Sequence, residues 1–342
     1  MSLFDFFTHE IAIDLGTANT LIIYKDKVVV DEPSIVAIDR TTNKVLAVGN
    51  KAMQMHEKTH NNIQTIRPLK DGVIADFDAA ESMMREMIKM LYTSRRWFMP
   101  SYKMVVCIPS GITEVEKRAV FESAERANAK ECYLIHEPMA AALGIGIDVK
   151  EPVGNMIIDI GGGTTEIAVI ALMGIVCDQS IRVAGDDFNS DIMNYIKREY
   201  NVLIGERTAE SIKIKTGSAL TELEDPPDDF AVHGRDLMSG IPKQITVNYK
   251  EVAACLDKSI SKIEEAVLKA LESTPPELAS DIYQTGIYLT GGGALLRGLD
   301  KRVAAKTKLQ VHIAEDPLKA VVKGTGLALK ATDKYPFLMS KI

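Results

Sequence analysis

Two short stretches have the residue types and spacing for phosphate chemistry. They are Asp14-Leu15-Gly16-Thr17-Ala18-Asn19-Thr20 and Asp159-Ile160-Gly161-Gly162-Gly163-Thr164-Thr165. Both take the form Asp-apolar-Gly-x-x-x-Thr, and each joins two apolar runs. Glycine lets backbone amides approach an anion with no side chain between, and successive N–H groups in such a turn form an anion-binding nest. Thr and Asn side chains add donors. Asp14 and Asp159 cannot face phosphate directly, because like charges repel. They make sense beside a Mg²⁺ ion held largely through water. The competing explanation is a pair of tight hairpins whose glycines only permit positive φ. A third stretch, Leu289-Thr290-Gly291-Gly292-Gly293-Ala294-Leu295-Leu296, ends an apolar run and opens a helix. It places bare backbone where a base or ribose could lie flat, or it is an ordinary strand-to-helix turn.

The elements that must position these turns are legible. Ile11–Ile13 with Leu21–Tyr24, and Asn155–Ile160 with Ile167–Leu172, predict two hairpins. Met104–Ile108, ended by Pro109, and Ile287–Leu289 read as buried strands. Apolar residues at Met83, Met84, Met87, Ile88 and Leu91 recur at helical spacing. Met83, Met84, Met87 and Met90 could line an interface, but core packing is the stronger explanation. Thr113-Glu114-Val115-Glu116 is a capping box opening a helix to about Asn128. Phe188, Ile192, Tyr195 and Ile196 mark another helix. Val252 to Leu271 mark a long one, stopped by Pro275-Pro276. Strands interleaved with helices predict an α/β fold. The acidic, proline-interrupted Glu222–Asp229 reads as a loop.

Composition bounds the function. The chain has 342 residues, 46% apolar and 25% charged, which excludes a disordered chain. Its 40 basic and 47 acidic side chains give a net charge of −7, so no nucleic-acid partner is expected. The longest apolar run, Ile167 to Cys177, is well short of the ~20 residues that span a bilayer. Cys107, Cys132, Cys177 and Cys255 are scattered without metal-site spacing, and Cys107 and Cys177 read as buried. With no signal-like N-terminus, a cytoplasmic protein is expected.

Two phosphate hairpins followed by a late Gly-Gly-Gly turn resemble the ordered signature of the actin, sugar-kinase and heat-shock-chaperone ATPase superfamily. Within it the chain resembles the bacterial actins of the MreB family, from about Ile11 to Leu329. The most specific segments are Asp14–Thr20, Arg67–Phe77, Pro109–Thr113, Glu137–Ala142, Asp159–Glu166, Thr274–Asp281 and Leu289–Gly298. The resemblance implies two similar actin-like domains, ribonuclease-H-like mixed sheets with flanking helices, around a nucleotide cleft. Domain I would span 1–145 with a small subdomain at about 33–66. Domain II would span 146–314 with one at about 182–245, and 315–342 would return to domain I. ATP and Mg²⁺ are the implied ligands. Gly16, Thr17, Ala18 and Asn19 match the first phosphate loop, and Gly161, Gly162, Gly163 and Thr164 the second. Glu210 and Lys213 match the pair on the ribose and adenine side, and Gly291, Gly292, Gly293, Ala294 and Leu295 the adenosine loop. Glu137 matches the carboxylate that orients the attacking water, with Thr164 on the same side.

Glu137 also has a reading of its own. It precedes Pro138 and Ala140-Ala141-Ala142, small residues that permit the close helix packing of a hinge. The alternative is a helix-start Glu favouring the dipole, worth roughly 0.3–1 kcal/mol. The sequence departs from the family pattern at His136, which if protonated lowers the basicity of Glu137, and at Asn189 and Thr216.

The resemblance implies a slow ATPase that polymerises, associates with the inner face of the cytoplasmic membrane and works with the cell-wall elongation machinery to maintain rod shape. A small-molecule, sugar-type kinase on the same fold is the alternative. Two segments are candidate membrane contacts. On a helix, Leu3, Phe4, Phe6 and Phe7 share one side with Asp5 opposite, and the alternative is a segment tucked against the core. Arg95-Arg96-Trp97-Phe98-Met99-Pro100 places Trp97 and Phe98 beside arginines in a connection that matches the family's membrane-inserting loop. The alternative is a loop anchored on its own core.

Overall fold

The computed structural model describes residues 8–58, 60–92 and 100–340. Leu3, Phe4, Phe6, Phe7, Trp97 and Phe98 lie outside them.

The internal repeat extends from the turns to whole sheets. In the first sheet, Thr8–Leu15, Asn19–Tyr24 and Lys27–Pro33 form an antiparallel meander. Ser101–Ile108 and then Ala129–His136 add in parallel beside its first strand, and Met339–Ser340 closes the edge. The second sheet repeats the pattern. Asn155–Ile160, Thr165–Ala171 and Gly174–Ile181 form the meander, and Ile287–Thr290 and Val311–Ile313 add in parallel. Two small three-stranded sheets complete the halves, one from Val36–Asp39, Val45–Val48 and Ile63–Ile66, the other from Val202–Leu203, Phe230–Asp236 and Pro242–Val247. The architecture is actin-like, as expected.

Local signals act as their chemistry requires. Thr113 and Glu116 make the reciprocal capping box that opens helix Glu114–Arg126. Met83, Met84 and Met87 on helix Phe77–Lys89 are fully buried, which assigns them to the core, whereas Met90, at the helix C-cap where the chain leaves the buried face, is 46% exposed and does not join them. The long helix runs Tyr249–Ser273, and Pro276 then starts the next, Pro276–Thr285, because its missing N–H is no loss in a first turn.

Two further sequence expectations need correction. After Ile287–Thr290 comes a 3-10 turn, Gly292–Leu295, and the helix begins only at Leu299. Gly291 at φ +79° turns the chain too sharply for an immediate helix. Cys177 is only half-buried, because its strand lies at the sheet edge, where its thiol meets Thr274 Oγ1 at 3.3 Å.

The halves meet through helix Glu137–Gly144, packed on helix Ala320–Leu329. One apolar cluster contains Ala140–Leu143 and Val321–Val322, with Val105 from the first sheet and Ile157 and Ala168 from the second.

Candidate functional site

Both aspartates stand at the ends of the meanders' first strands, each beside a donor from the parallel neighbour. Asp14 is level with Cys107, whose thiol donates to Asp14 Oδ1 at 3.0 Å. Asp159 is level with Thr290, whose hydroxyl donates to Asp159 Oδ1 at 2.8 Å. The repeat therefore includes the neighbour that orients each carboxylate, and Cys107 is more than a buried apolar group.

The two glycine turns face each other at close range. A Cβ on Gly162 would lie 2.6 Å from Ala18 Cβ, and one on Gly163 would lie 2.7 Å from Thr17 Oγ1. Gly161 N closes its own turn on Thr164 O at 2.9 Å. Among the described residues, the amides of Thr17, Ala18, Gly162, Gly163 and Thr164 donate to no backbone acceptor outside the strand ladders. That leaves a set of donors for an anion. Thr17 Oγ1 accepts the amide of Gly72 at 3.0 Å. Gly72 sits at φ +79°, where a Cβ would come within 2.9 Å of both Pro109 and Thr164.

The third glycine stretch joins the same site. Gly291 and Gly293 pack on Ile160, too closely for any side chain. Glu210 and Lys213 arrive on helix Glu206–Thr216, where they pair at 2.8 Å. Lys213 Nζ donates to Gly185 O at 3.0 Å, and Gly185 N donates to Gly161 O at 3.1 Å, so the pair is tied to the second turn. Buried Asn189 donates to Glu210 Oε2 at 2.7 Å and holds that side chain. Thr216 is buried and bonds back to Ile212 O, away from the site.

Glu137 begins its helix at the seam between the halves, half-buried. Burial and the nearby charges of Glu166, Asp159 and Asp14 push its carboxyl well above the usual range. Among the described residues no hydrogen-bond donor or cation reaches it, so it is available to a water molecule.

Glu166 was not singled out from the sequence. It is fully buried opposite Asp159, and accepts from Ser180 Oγ at 2.6 Å and Ser110 N at 3.0 Å. Its signal was a lone charge inside the apolar run Thr165–Ala171. Burial raises it to about 7, Asp14 to about 7 and Asp159 to about 6.

His136 does not act as expected. Burial lowers its pKa from 6.5, so the ring is neutral near pH 7 and places no positive charge beside Glu137.

Four carboxylates in one cleft suit an oxygen-ligated divalent cation. Among the described residues no group of three His, Cys, Asp or Glu side chains is arranged to hold a metal ion directly.

The raised acids fix a pH dependence. The folded state holds protons that the unfolded chain releases near pH 4–4.5, so this contribution to stability is present at low pH and lost as pH rises through the folded values. For Glu166, moved from 4.5 to about 7, the loss is up to roughly 3 kcal/mol. Without nucleotide, Glu166→Gln should therefore gain stability relative to wild type between pH 4.5 and 7, and gain nothing below. Chemical denaturation across that range checks it.

Twin meander-based sheets whose glycine turns oppose each other over a carboxylate cluster define an actin-like protein. The structure of MreB5 of Spiroplasma citri bound to AMPPNP superposes on it with a TM-score of 0.89 at 39% identity, covering 96% of this chain and 97% of that one. The family model for MreB/Mbl protein matches residues 8–336, and the chain belongs to this family of actin-like proteins. Cell shape-determining protein Mbl of Bacillus subtilis (strain 168) is 49% identical over 331 residues, 96% of this chain and 98% of its own length. Cell shape-determining protein MreB of Escherichia coli (strain K12) is 49% identical over 334 residues, 96% of this chain and 95% of its own. These relatives support the cytoskeletal reading over the small-molecule kinase.

Proposed function

We propose that the chain is a filament-forming ATPase of the cell-shape cytoskeleton, binding ATP with Mg²⁺ between two domains that divide near residue 145 and rejoin after 315. The observation that carries this is the pair of opposed glycine turns with available amides, set over Asp14, Glu137, Asp159 and Glu166. The structure of the Spiroplasma citri relative bound to AMPPNP supports a nucleotide as the ligand. The turn amides and Thr17 bind the phosphates. Glu210, Lys213 and the Gly291–Leu295 turn receive the nucleoside. Asp14 and Asp159 would hold Mg²⁺ through water, and the ion would supply charge that offsets the phosphates. Glu137 orients the water that attacks the γ-phosphorus and takes its proton, with Thr164 assisting, while the bond from the γ-phosphorus to the β–γ bridging oxygen breaks and ADP leaves. Nucleotide closes the cleft, and head-to-tail contacts, which do not close on themselves, then build filaments. ATP-dependent pelleting with no phosphate acceptor present tests the reading. Sedimentation is expected, whereas an acceptor-dependent reaction with no pellet would return the kinase.

Attachment to the inner face of the membrane, alongside the cell-wall elongation machinery, belongs to the same proposal. Among the described residues no helix is long and apolar enough to cross a membrane. At a net charge of −7, bulk electrostatics cannot hold the chain on an anionic surface, so attachment falls to inserted apolar side chains. Each contributes up to ~1.5–3 kcal/mol, and a filament multiplies the weak site by avidity. Deleting residues 2–7 together with Trp97→Ala and Phe98→Ala should abolish co-sedimentation with liposomes. Full binding by that variant would remove both assignments.

A further inference from the structure

Helix Glu206–Thr216 brings Glu210 and Lys213 to the cleft, yet it has no cap of its own, because Gly205 at its N-cap has no side chain. Its first amide is satisfied from the other half of the molecule. Glu206 N donates to Glu57 Oε1 at 3.3 Å. The bare N-cap is part of the contact, since a Cβ on Gly205 would overlap the Glu57 carboxylate. Glu57 is held at φ +60°, in the left-handed region that disfavours a residue with a side chain. Such strain persists only where the surroundings fix it.

Neighbours of Glu57 grip the same helix end. Arg67 Nη2 lies 2.7 Å from Glu206 and Nη1 lies 3.6 Å from Asp186, so one guanidinium spans two carboxylates of the opposite half. His56 Nε2 lies 3.5 Å from Glu206. Asp186 N in turn donates to Gly162 O at 2.8 Å, which links the grip to the second glycine turn.

We propose that Glu57 and Arg67 are positioning residues that cap and clamp helix Glu206–Thr216 from the opposite half, and so hold the closed cleft and set how slowly ATP leaves. The proposal rests on ATP occupying the cleft. Opening would strip the helix of its cap and part Arg67 from both carboxylates at once. A single exposed ion pair contributes little, so the cap and the two-carboxylate grip act together. The same helix end positions Glu210 and Lys213, which ties closure to the nucleoside side of the ligand.

The test is release of a fluorescent ATP analogue, preloaded with Mg²⁺ on the full-length protein and chased with unlabelled ATP. Glu57→Ala combined with Arg67→Ala should release it about fivefold faster or more. Gly205→Ser added to that double variant gives the helix a cap from its own chain, at φ −84° and ψ 168° that serine adopts freely. That addition should recover any loss of Tm while release stays fast, which separates the clamp from simple helix stabilisation. Release within about twofold of wild type in the first double variant, or a return to the wild-type rate with Gly205→Ser, overturns the proposal. If the first double variant does not fold, Arg67→Glu alone should release fast, and Arg67→Glu with Glu206→Arg should release slowly again. Equal rates for those two overturn it. A wild type that retains no analogue overturns the nucleotide reading, and the clamp with it.

Discussion

Glu137→Ala is expected to bind ATP as wild type does and to lose about 10²–10⁴-fold of its phosphate release, the range typical of a positioned acid–base group. Affinity should survive because, among the described residues, Glu137 makes no hydrogen bond to either glycine turn. The turns contact each other through Ala18, Gly162, Thr17 and Gly163, and the proposed nucleoside residues Glu210, Lys213 and Gly291–Leu295 lie on other elements. Rate should fall because Glu137 is the cleft carboxylate with no donor of its own. Asp14 is held by Cys107, Asp159 by Thr290, and Glu166 by Ser180 and Ser110. Three carboxylates are thus committed to fixed partners, and one is left facing whatever enters. The neutral His136 beside it adds no positive charge to lower its proton affinity. Phosphate release by Glu137→Gln should fall similarly, since the amide keeps the size and loses the base. Single-turnover phosphate release measured beside nucleotide affinity separates the two effects. Unchanged turnover in either variant would remove Glu137 from the chemistry.

What the sequence made legible was local. Each glycine hairpin announces itself, because apolar runs flank a turn that needs bare backbone. The capping box at Thr113 needs only residues three apart, and the buried methionines need only helical period. Partners brought together by topology left no such mark. Nothing near Asp14 names Cys107, and nothing near Asp159 names Thr290, because pairing between parallel strands is decided by the crossover, not by neighbours in the chain. Glu166 was hidden in the same way. It reads as one polar residue in an apolar strand until Ser110 and Ser180 are seen to bond its two oxygens. His136 shows the other limit. Its charge depends on burial, which residue type alone does not reveal. Glu57 and Gly205 are an exposed carboxylate and an ordinary loop glycine until the fold sets one against the other.

Gly324→Val is expected to cause the largest loss of stability among single substitutions at the seam. Helices Glu137–Gly144 and Ala320–Leu329 cross with their backbones in contact. A Cβ on Gly324 would overlap the Ala140 carbonyl oxygen and lie 2.8 Å from Gly144 N. Gly144 is the mirror case, with its Cβ overlapping the Ala320 carbonyl oxygen and lying 2.9 Å from Gly324 N. The obstacles are backbone atoms, which no rotamer change can move, so the helices must separate. Overpacking of this kind costs typically 1–3 kcal/mol and occasionally more, and valine adds two methyl groups to the clash. Gly324→Ala should cost less and Gly324→Val more, while Gly174→Ala, whose Cβ would meet only Ala171 O at 3.6 Å, should leave stability nearly unchanged. On the role proposed for Glu137 the crossing also bears on catalysis, because Glu137 is the first residue of one of these helices. Separating the helices shifts that carboxylate against the opposing half, where a displacement of about 1 Å can cost 10²-fold in rate. Gly324→Ala should therefore lower phosphate release in protein that is still folded and still binds ATP. A variant with wild-type release and wild-type Tm would show that the crossing has room that the backbone contacts deny.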